Sequence, residues 1–422
     1  MTEFSQLGIN KKLTQNVAKK SYRLATPIQE KSIPLVVAGH DLMAVAQTGT
    51  GKTAAFALPI LHLMNNKARP GPKDIHALIL TPTRELAAQV AKSFREYGAG
   101  LKLHSVIACG GQNIRPQIRE LGRGTDVLVA TPGRLLDLIA QNAIRLDSVK
   151  IWVLDEADRM LDLGFLPTVQ KIHAQLPKTS QALMFSATFS KEIELLARNF
   201  LDYPKKVQIT TKNKTVSLIK ERVHPVDRKR KMELLQHLIN DQKWGQTLVF
   251  SKTRHGADKL ARMLNKAGIS SDAIHGDKKQ CFRTRSLNRF KAGKLRVLVA
   301  TDVASRGIDI RHLARVVNFD LPHVAEDYIH RIGRTGRAGE HGVALSLVSA
   351  DELIQLKKIE KLIGRVIPRR EIDGFEPYHR LSSKRVNLPS TKPKRPKAKR
   401  KRHLDGERQH RGKSIRGKLQ IG

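Results

Sequence analysis

The segment AVAQTGTGKTAAF (44–56) sets a glycine loop directly before a lysine, a threonine and a helix-forming run. Thr48, Gly49, Thr50 and Gly51 build the loop, and its glycines let backbone N–H groups approach phosphate oxygens. The positive end of the following helix favours the same anion. Lys52 is placed to reach the β- and γ-phosphates of a nucleotide, and Thr53 to ligate Mg²⁺. Position 46 is Ala where the general phosphate-loop pattern opens with Gly, so a chance glycine-rich turn is the competing reading. VLDEAD (153–158) ends an apolar run in acid. Ligands of α/β sheets gather beyond the carboxyl ends of strands. Asp155 is thereby positioned to hold Mg²⁺ through water, and Glu156 to orient or deprotonate an attacking water. Acids after a strand also serve as plain helix caps; the two motifs together favour catalysis. YIHRIGRTGR (328–337) repeats Arg331, Arg334 and Arg337 at threefold spacing. On a helical or 3₁₀ stretch they would converge on one anion, and an arginine completing a phosphoryl-transfer site contributes ~10³–10⁵ in rate. A solvated charge cluster is the alternative.

Those groups need elements to hold them. Short, nearly continuous apolar runs read as parallel strands buried on both faces. In the first half they are DLMAVA (41–46), HALILT (76–81), SVIA (105–108), DVLVA (126–130), KIWVLD (150–155) and QALMFS (181–186). Helix-like segments separate them, one from Arg84 to Tyr97 with Leu86, Val90 and Phe94 on one face. Alternating strands and helices imply βαβ units and a mostly parallel sheet. A polar stretch at 210–220 reads as a linker, after which the pattern restarts. QTLVF (246–250), SSDAI (270–274), RVLVA (296–300), ARVVNF (314–319) and GVALSLV (342–348) are its strands, and Lys229 to Asp241 its first helix. The expected organisation is a first lobe over 1–209, the linker, a second lobe over 221–375 and a tail over 376–422. Only the first lobe has a phosphate loop, so the arginines of the second are expected to serve the nucleotide bound by the first.

The formal charge is +39 over 422 residues, which predicts attraction to polyanions. From Arg380 to Gly422 there are 16 Lys/Arg and two acids, a net +14, which leaves +25 of the total on the preceding 379 residues. Nucleic acid is therefore the expected partner, with an anionic membrane surface the weaker alternative. No run approaches the ~20 apolar residues that span a bilayer. MTEFSQLGIN has neither a basic n-region nor an apolar h-region, so no secretory signal is expected. Cys109 and Cys281 match no metal or disulfide spacing and read as reduced thiols of a cytoplasmic protein. The tail, which includes KPKRPKAKRKR, is too poor in apolar residues to offset its ordering entropy and reads as disordered.

Over residues ~1–370 the chain resembles a DEAD-box RNA helicase of superfamily 2, with the motifs in order. AQTGTGKT (46–53), Ala46 included, is the family's own phosphate loop. TPIQ (26–29) is similar to the adenine motif, in which Thr26 and Gln29 would recognise the base and the upstream Phe4 would stack on it. Ser21-Tyr22 and Ala25-Thr26 stand where the family has Gly-aromatic and Pro-Thr. PTREL (82–86), GG (110–111) and TPGR (131–134) match RNA-facing motifs, contributing Pro82, Arg84, Gly111, Thr131 and Arg134. SAT (186–188) matches the motif that links nucleotide state to RNA, with Ser186, Thr188, Asp158, His330 and Arg331 as coupling residues. VFSKTR (249–254), QCFR (280–283) and ATDVASRGID (300–309) would add Thr253, Arg283 and Thr301 to RNA, and Gly307 and Asp309 to the ribose side. Arg334 and Arg337 would be the arginine fingers. AIHGDKKQ and IEKLIGRVIP (359–368) look most like the bacterial RhlE-like branch.

The resemblance implies two tandem RecA-like parallel-sheet domains, ATP and Mg²⁺ as the ligands, and RNA as the partner. Short polar and glycine residues suit phosphate and sugar rather than base edges, so binding should be independent of sequence. Closure of the lobes on ATP and RNA would bend one strand and unwind short duplexes locally, each ligand raising the other's affinity. The same motifs would equally serve an ATP-gated RNA clamp or annealing scaffold. A DNA-translocating motor is disfavoured by TPIQ together with DEAD. The tail's own composition favours a non-specific RNA tether, with a solvated charge run and a nuclear import signal as the alternatives. Ribosome and RNA-decay partners are compatible with this reading and none is singled out.

Overall fold

A computed structural model describes residues 2–20, 22–47, 49–65, 67–209, 219–241, 244–302, 313–336 and 342–378. The first lobe carries β1 (Leu42–Val45), β2 (Ile75–Leu80), β3 (Ser105–Ala108), β4 (Thr125–Ala130), β5 (Ile151–Leu154), β6 (Gln181–Ser186) and β7 (Lys205–Gln208). They form a parallel sheet in the order β3-β4-β2-β5-β6-β1-β7. Its helices are α1 (Lys11–Ala18), α2 (Pro27–Val37), α3 (Lys52–Met64), α4 (Arg84–Tyr97), α5 (Ile114–Leu121), α6 (Pro132–Ala140), α7 (Ala157–Asp162), α8 (Leu166–His173) and α9 (Lys191–Phe200). The second lobe carries β8 (Ile219–Pro225), β9 (Thr247–Phe250), β10 (Ser271–Ile274), β11 (Val297–Ala300), β12 (Arg315–Asn318) and β13 (Gly342–Val348), in the parallel order β10-β11-β9-β12-β13-β8. Its described helices are α10 (Lys231–Asp241), α11 (Arg254–Lys266), α12 (Gln280–Lys291), α13 (Ala325–Ile332) and α14 (Leu353–Ile363).

Side chains alternate across a strand, so a strand covered on both faces feeds two cores. Leu42 and Ala44 join Phe56, Phe94 and Phe185 on one side of the first sheet. Met43 and Val45 join Trp152 and Met184 on the other. The second sheet divides likewise, Val249, Val299 and Trp244 on one side and Leu248, Phe250 and Leu298 on the other. The chain's two tryptophans thus lie one in each lobe, both essentially covered. In α4, Leu86, Val90 and Phe94 are buried at the expected fourfold spacing, and Thr83 caps the helix by accepting the N–H of Leu86.

The register decides where ligands can gather. Leu154 pairs with Met184 and Val45 with Ser186, so β1, β6 and β5 end side by side. Leu80 pairs with Leu154 and with Ala130, and Ala130 with Ala108, so β2, β4 and β3 continue the same carboxyl edge.

Two strands escape the sequence reading. β7 is an edge strand whose lysines and glutamine are exposed, and only Val207 is buried. β8 is the other sheet's edge and alternates buried Ile219, Glu221 and Val223 with exposed Lys220 and Arg222. Edge strands are kept polar to discourage pairing with other chains, which removes the continuous apolar signature. Ile219 and Lys220, read as the end of the linker, are therefore strand residues. Similarly, the tail boundary at 376 falls inside a described segment, where the N–H of Tyr378 donates to the Asp227 carboxylate. The rest of the linker reading and the disordered-tail reading fall on residues outside those described.

Candidate functional site

The phosphate loop leaves β1 anchored by Ala46, whose N–H donates to the Ser186 carbonyl at 3.1 Å. Gly49 and Gly51 take left-handed φ values of 86° and 92°, a region that costs a residue with a Cβ ~1–2 kcal/mol. Gly51 caps α3 without a side-chain hydrogen bond, so the first N–H groups of that helix face the loop as anion donors. Lys52 opens α3 with its side chain 8% exposed, and its Nζ has no hydrogen-bond partner among the described residues. A buried ammonium that makes no hydrogen bond is costly, and a further anion at this point would supply one. Thr53 is the next residue, half-buried on the same turn.

Opposite, Asp155 follows β5 and is 3% exposed. Burial, reinforced by the neighbouring Glu156 charge, pushes its carboxyl up to about 7. Asp155 Oδ1 accepts the N–H of Glu156 at 3.0 Å. Glu156 itself sits at φ 54°, ψ 53°, a left-handed conformation unusual for a residue with a Cβ, at the start of α7. Such local strain turns a side chain out of the regular path of the chain. Asp158 Oδ2 gathers the N–H groups of Ala187 (2.9 Å) and Thr188 (3.1 Å) and the Thr188 hydroxyl (3.2 Å). Burial opposes charge on Asp158, yet Lys52, the second-lobe His330 and the Ala187 N–H hold its carboxyl below the usual range. The residues fit a nucleotide triphosphate with Mg²⁺. One half-free ammonium, capless helix amides and one buried carboxylate match a metal held mainly by phosphates and water.

The adenine-motif residues are less open. Gln29 is buried, accepts the Thr26 N–H at 2.9 Å and donates Nε2 to the Gly51 carbonyl at 3.1 Å. It therefore braces the phosphate loop, keeping one donor hydrogen and one acceptor lone pair. Phe4 is 4% exposed and packs in the first-lobe core with Leu7 and Ile28. The upstream stacking ring expected from sequence thus has at most an edge to offer, because a short 3₁₀ turn folds it inward.

Further along the strand edge stand Pro82, Arg84, Gly111, Thr131 and Arg134. Gly111 has φ 70°, and the Arg84 guanidinium lies where its Cβ would be. Thr131 accepts the Gly110 N–H at 3.4 Å. Arg134 is buried, donates Nη2 to the Gln112 carbonyl at 3.0 Å, and has no hydrogen-bond partner for Nη1. Pro82 is buried just past β2.

In the second lobe Thr301 follows β11 and is buried. Thr253 caps α11, its hydroxyl accepting the Gly256 N–H at 2.9 Å and keeping its own O–H to donate. Arg283 also differs from expectation. It is turned away from the open cleft onto Glu85 of the first lobe, at 2.8 Å, and Gln280 donates to the same carboxylate at 2.9 Å. Arg331 departs further. Its fork holds Asp302 at 2.6 and 2.7 Å, and Nη1 reaches the Asn318 side chain and the Asp320 carbonyl. α13 ends at Ile332 with Gly333 as its cap, and the chain goes on through i→i+3 bonds from the Arg334 N–H to the Arg331 carbonyl and from the Thr335 N–H to the Ile332 carbonyl. Arg334 is buried past that end, donating Nε to the His330 carbonyl at 3.3 Å. Thr48, Gly307, Asp309 and Arg337 lie outside the described residues.

Sequence reasoning missed Glu85, Gln280 and Asp302. Glu85 had a signal: an acid beside Arg84 in a phosphate-facing motif cannot itself bind phosphate and needs a cation elsewhere.

Residues 26–196 match the DEAD/DEAH box helicase family model, and residues 230–339 the helicase conserved C-terminal domain. The chain is 41% identical over 361 residues to the ATP-dependent RNA helicase CshA of Listeria monocytogenes, spanning 86% of this chain and 69% of that one. It is 41% identical over 369 residues to the DEAD-box ATP-dependent RNA helicase CshA of Geobacillus kaustophilus, spanning 87% and 78%. The solved structure of S. cerevisiae Dbp5 bound to RNA and ADP BeF3 matches with a TM-score of 0.80 at 32% identity, over 88% of this chain and 96% of that one.

Proposed function

This chain belongs to the DEAD-box ATP-dependent RNA helicases, built as two RecA-like parallel-sheet domains, and from that premise we propose that it couples ATP hydrolysis to local unwinding of short RNA duplexes. One observation carries the coupling. Both ends of a single strand edge reach the second lobe, through Asp158 near His330 and through Glu85 to Gln280 and Arg283.

Lys52 draws in the β- and γ-phosphates against the amides that open α3, which supplies its missing hydrogen bond. Mg²⁺, held by Thr53 and Asp155, would neutralise charge developing between the phosphates. Glu156 orients the attacking water, and Arg334 with Arg337 meets charge on the transferred phosphoryl group. Gln29 uses its remaining donor and acceptor on the adenine edge, with Phe4 nearby, and Gly307 and Asp309 serve the ribose. Arg84, Gly111, Thr131, Arg134 and Thr301 take RNA phosphates and sugars, while Arg283 acts on RNA through the lobe seam. Ser186, Thr188, Asp158, His330 and Arg331 link the two ligands. A cytoplasmic setting belongs to the same proposal, supported by two unpaired cysteines. The flanks AIHGDKKQ and IEKLIGRVIP support an RhlE-like branch, whereas the relatives above carry the name CshA.

The test is steady-state ATP hydrolysis without nucleic acid, with single-stranded RNA and with matched DNA, using Lys52→Ala as the blank. Stimulation by RNA alone, with displacement of short but not long duplexes, is the expected result. Equal stimulation by DNA, or none by RNA, would overturn the reading. Glu156→Gln separates a clamp from an unwinding enzyme: a clamp keeps its output with turnover gone.

A further inference from the structure

The two lobes face each other across a cleft of about 1070 Å³, lined by Arg84, Gly111 and Asn113 on one side and by Lys279, Cys281 and Arg285 on the other. The cations around this cleft are not equivalent. Arg254 is neutralised by Asp277 at 2.5 Å, Lys278 by Asp258 at 2.9 Å and Arg289 by Asp272 at 3.0 Å. Arg84, Lys279 and Arg285 take part in none of the ion pairs among the described residues. Arg283, the arginine of α12 that the motif points to, is spent on Glu85. On α12, Cys281, Arg285 and Arg289 recur at fourfold spacing and so form one stripe. Arg283 lies on a different face, which explains how one helix can hold the lobes together and still present charge to the cleft.

We propose that Lys279 and Arg285 form, with Arg84 across the cleft, an additional phosphate-binding clamp for the RNA strand. This rests on the RNA reading above. The cations come from both lobes, so the clamp is complete only when the lobes face one another as here. It therefore makes part of RNA affinity depend on the bound nucleotide. Arg285 is a positioning residue, since it touches the strand backbone and not the reacting phosphate.

The experiment measures binding of a radiolabelled oligouridylate by the full chain over a range of salt, with ADP and beryllium fluoride and then without nucleotide. Each lost phosphate contact lowers the slope of log affinity against log salt by about 0.7 for a single strand. Lys279→Ala with Arg285→Ala should lower the slope by about 1.4 in the nucleotide-bound state and leave it unchanged without nucleotide. Arg289→Ala, whose charge is already met by Asp272, should leave the slope alone. Lys279 caps α12 and is exposed, Arg285 is exposed on the helix and Arg289 half-buried, and RNA-free ATP hydrolysis confirms that each variant is folded. An unchanged slope in the double variant overturns the clamp, as does an equal fall with and without nucleotide or an equal fall in Arg289→Ala. If the unaltered chain shows no RNA-stimulated hydrolysis, the functional reading itself fails. If it is stimulated and the double variant keeps its slope, only the clamp fails.

Discussion

Replacing Gly111 by alanine should weaken RNA binding while leaving ATP chemistry in place. A Cβ at Gly111 would sit 2.0 to 2.4 Å from the Arg84 guanidinium, on a backbone held at φ 70°. The left-handed backbone costs a residue with a Cβ ~1–2 kcal/mol, which for a lobe of this size lowers the melting temperature by about 2–8 °C. The steric conflict has a different outcome. The guanidinium is the far end of a flexible side chain, so it moves aside and the fold survives. Arg84 then loses its place over the cleft, and with it a charge-assisted hydrogen bond to phosphate worth ~1.5–3 kcal/mol. That corresponds to a rise on the order of 10–100-fold in the RNA concentration that half-saturates ATPase stimulation. Lys52, Asp155 and Glu156 stand at the other end of the strand edge, so RNA-free hydrolysis and the KM for ATP should hold. Gly133→Ala is the stability comparison, because a Cβ there meets nothing within 4 Å. RNA-titrated hydrolysis and a thermal melt suffice. An unchanged half-saturation point, or basal hydrolysis that falls in parallel with stimulation, would refute the reasoning.

Other outcomes follow from the same geometry. Asp155 is raised to about 7 by burial in the folded chain, so its proton is bound more tightly folded than unfolded. The associated stability is full below the unfolded value near 4 and is lost as pH rises through 7. Asp155→Asn should therefore melt higher than the unaltered chain at pH 8 but not at pH 4, and matched melts at pH 8 would count against the buried proton. Arg331→Ala takes the donor from the buried Asn318 side chain and the Asp320 carbonyl and should cost ~1–3 kcal/mol; Arg331→Lys should not restore it, because an ammonium cannot fill the bidentate fork on Asp302. A melt in which lysine rescues would remove the fork from the account. Cys281 is exposed in the cleft, while Cys109 is buried and its thiol pushed up to about 12. Iodoacetamide should modify Cys281 alone, and RNA with a beryllium fluoride nucleotide should slow it; mass spectrometry showing equal labelling of both, or no protection, would contradict this.

Much of the site was legible because it hangs on buried central strands. LMAV and VLVA are apolar throughout since helices cover both faces, and each hands its chemistry to the residue just beyond its end. Edge strands such as Lys205–Gln208 pack on little and so carried no such signal. The arginines of HRIGRTGR illustrate a second limit. Spacing says nothing of partners distant in sequence, and the Arg331 fork closes on the half-buried Asp302, which lies 29 residues earlier. Arg283 illustrates a third. Its residue type suits phosphate, but its neighbour in space is Glu85, and no local pattern announces a partner 198 residues away.

The placement of the two tryptophans has an optical consequence. Trp152 meets Phe200 edge-on at 5.8 Å inside the first lobe, and Trp244 lies beneath Arg315 at 5.5 Å inside the second. Neither lines the cleft. Intrinsic emission should thus be blind to ligand-driven closure yet shift when a core dissolves. Replacing one indole by phenylalanine leaves a single emitter whose denaturation profile belongs to one lobe, so the two halves of the molecule can be watched coming apart separately without any added dye.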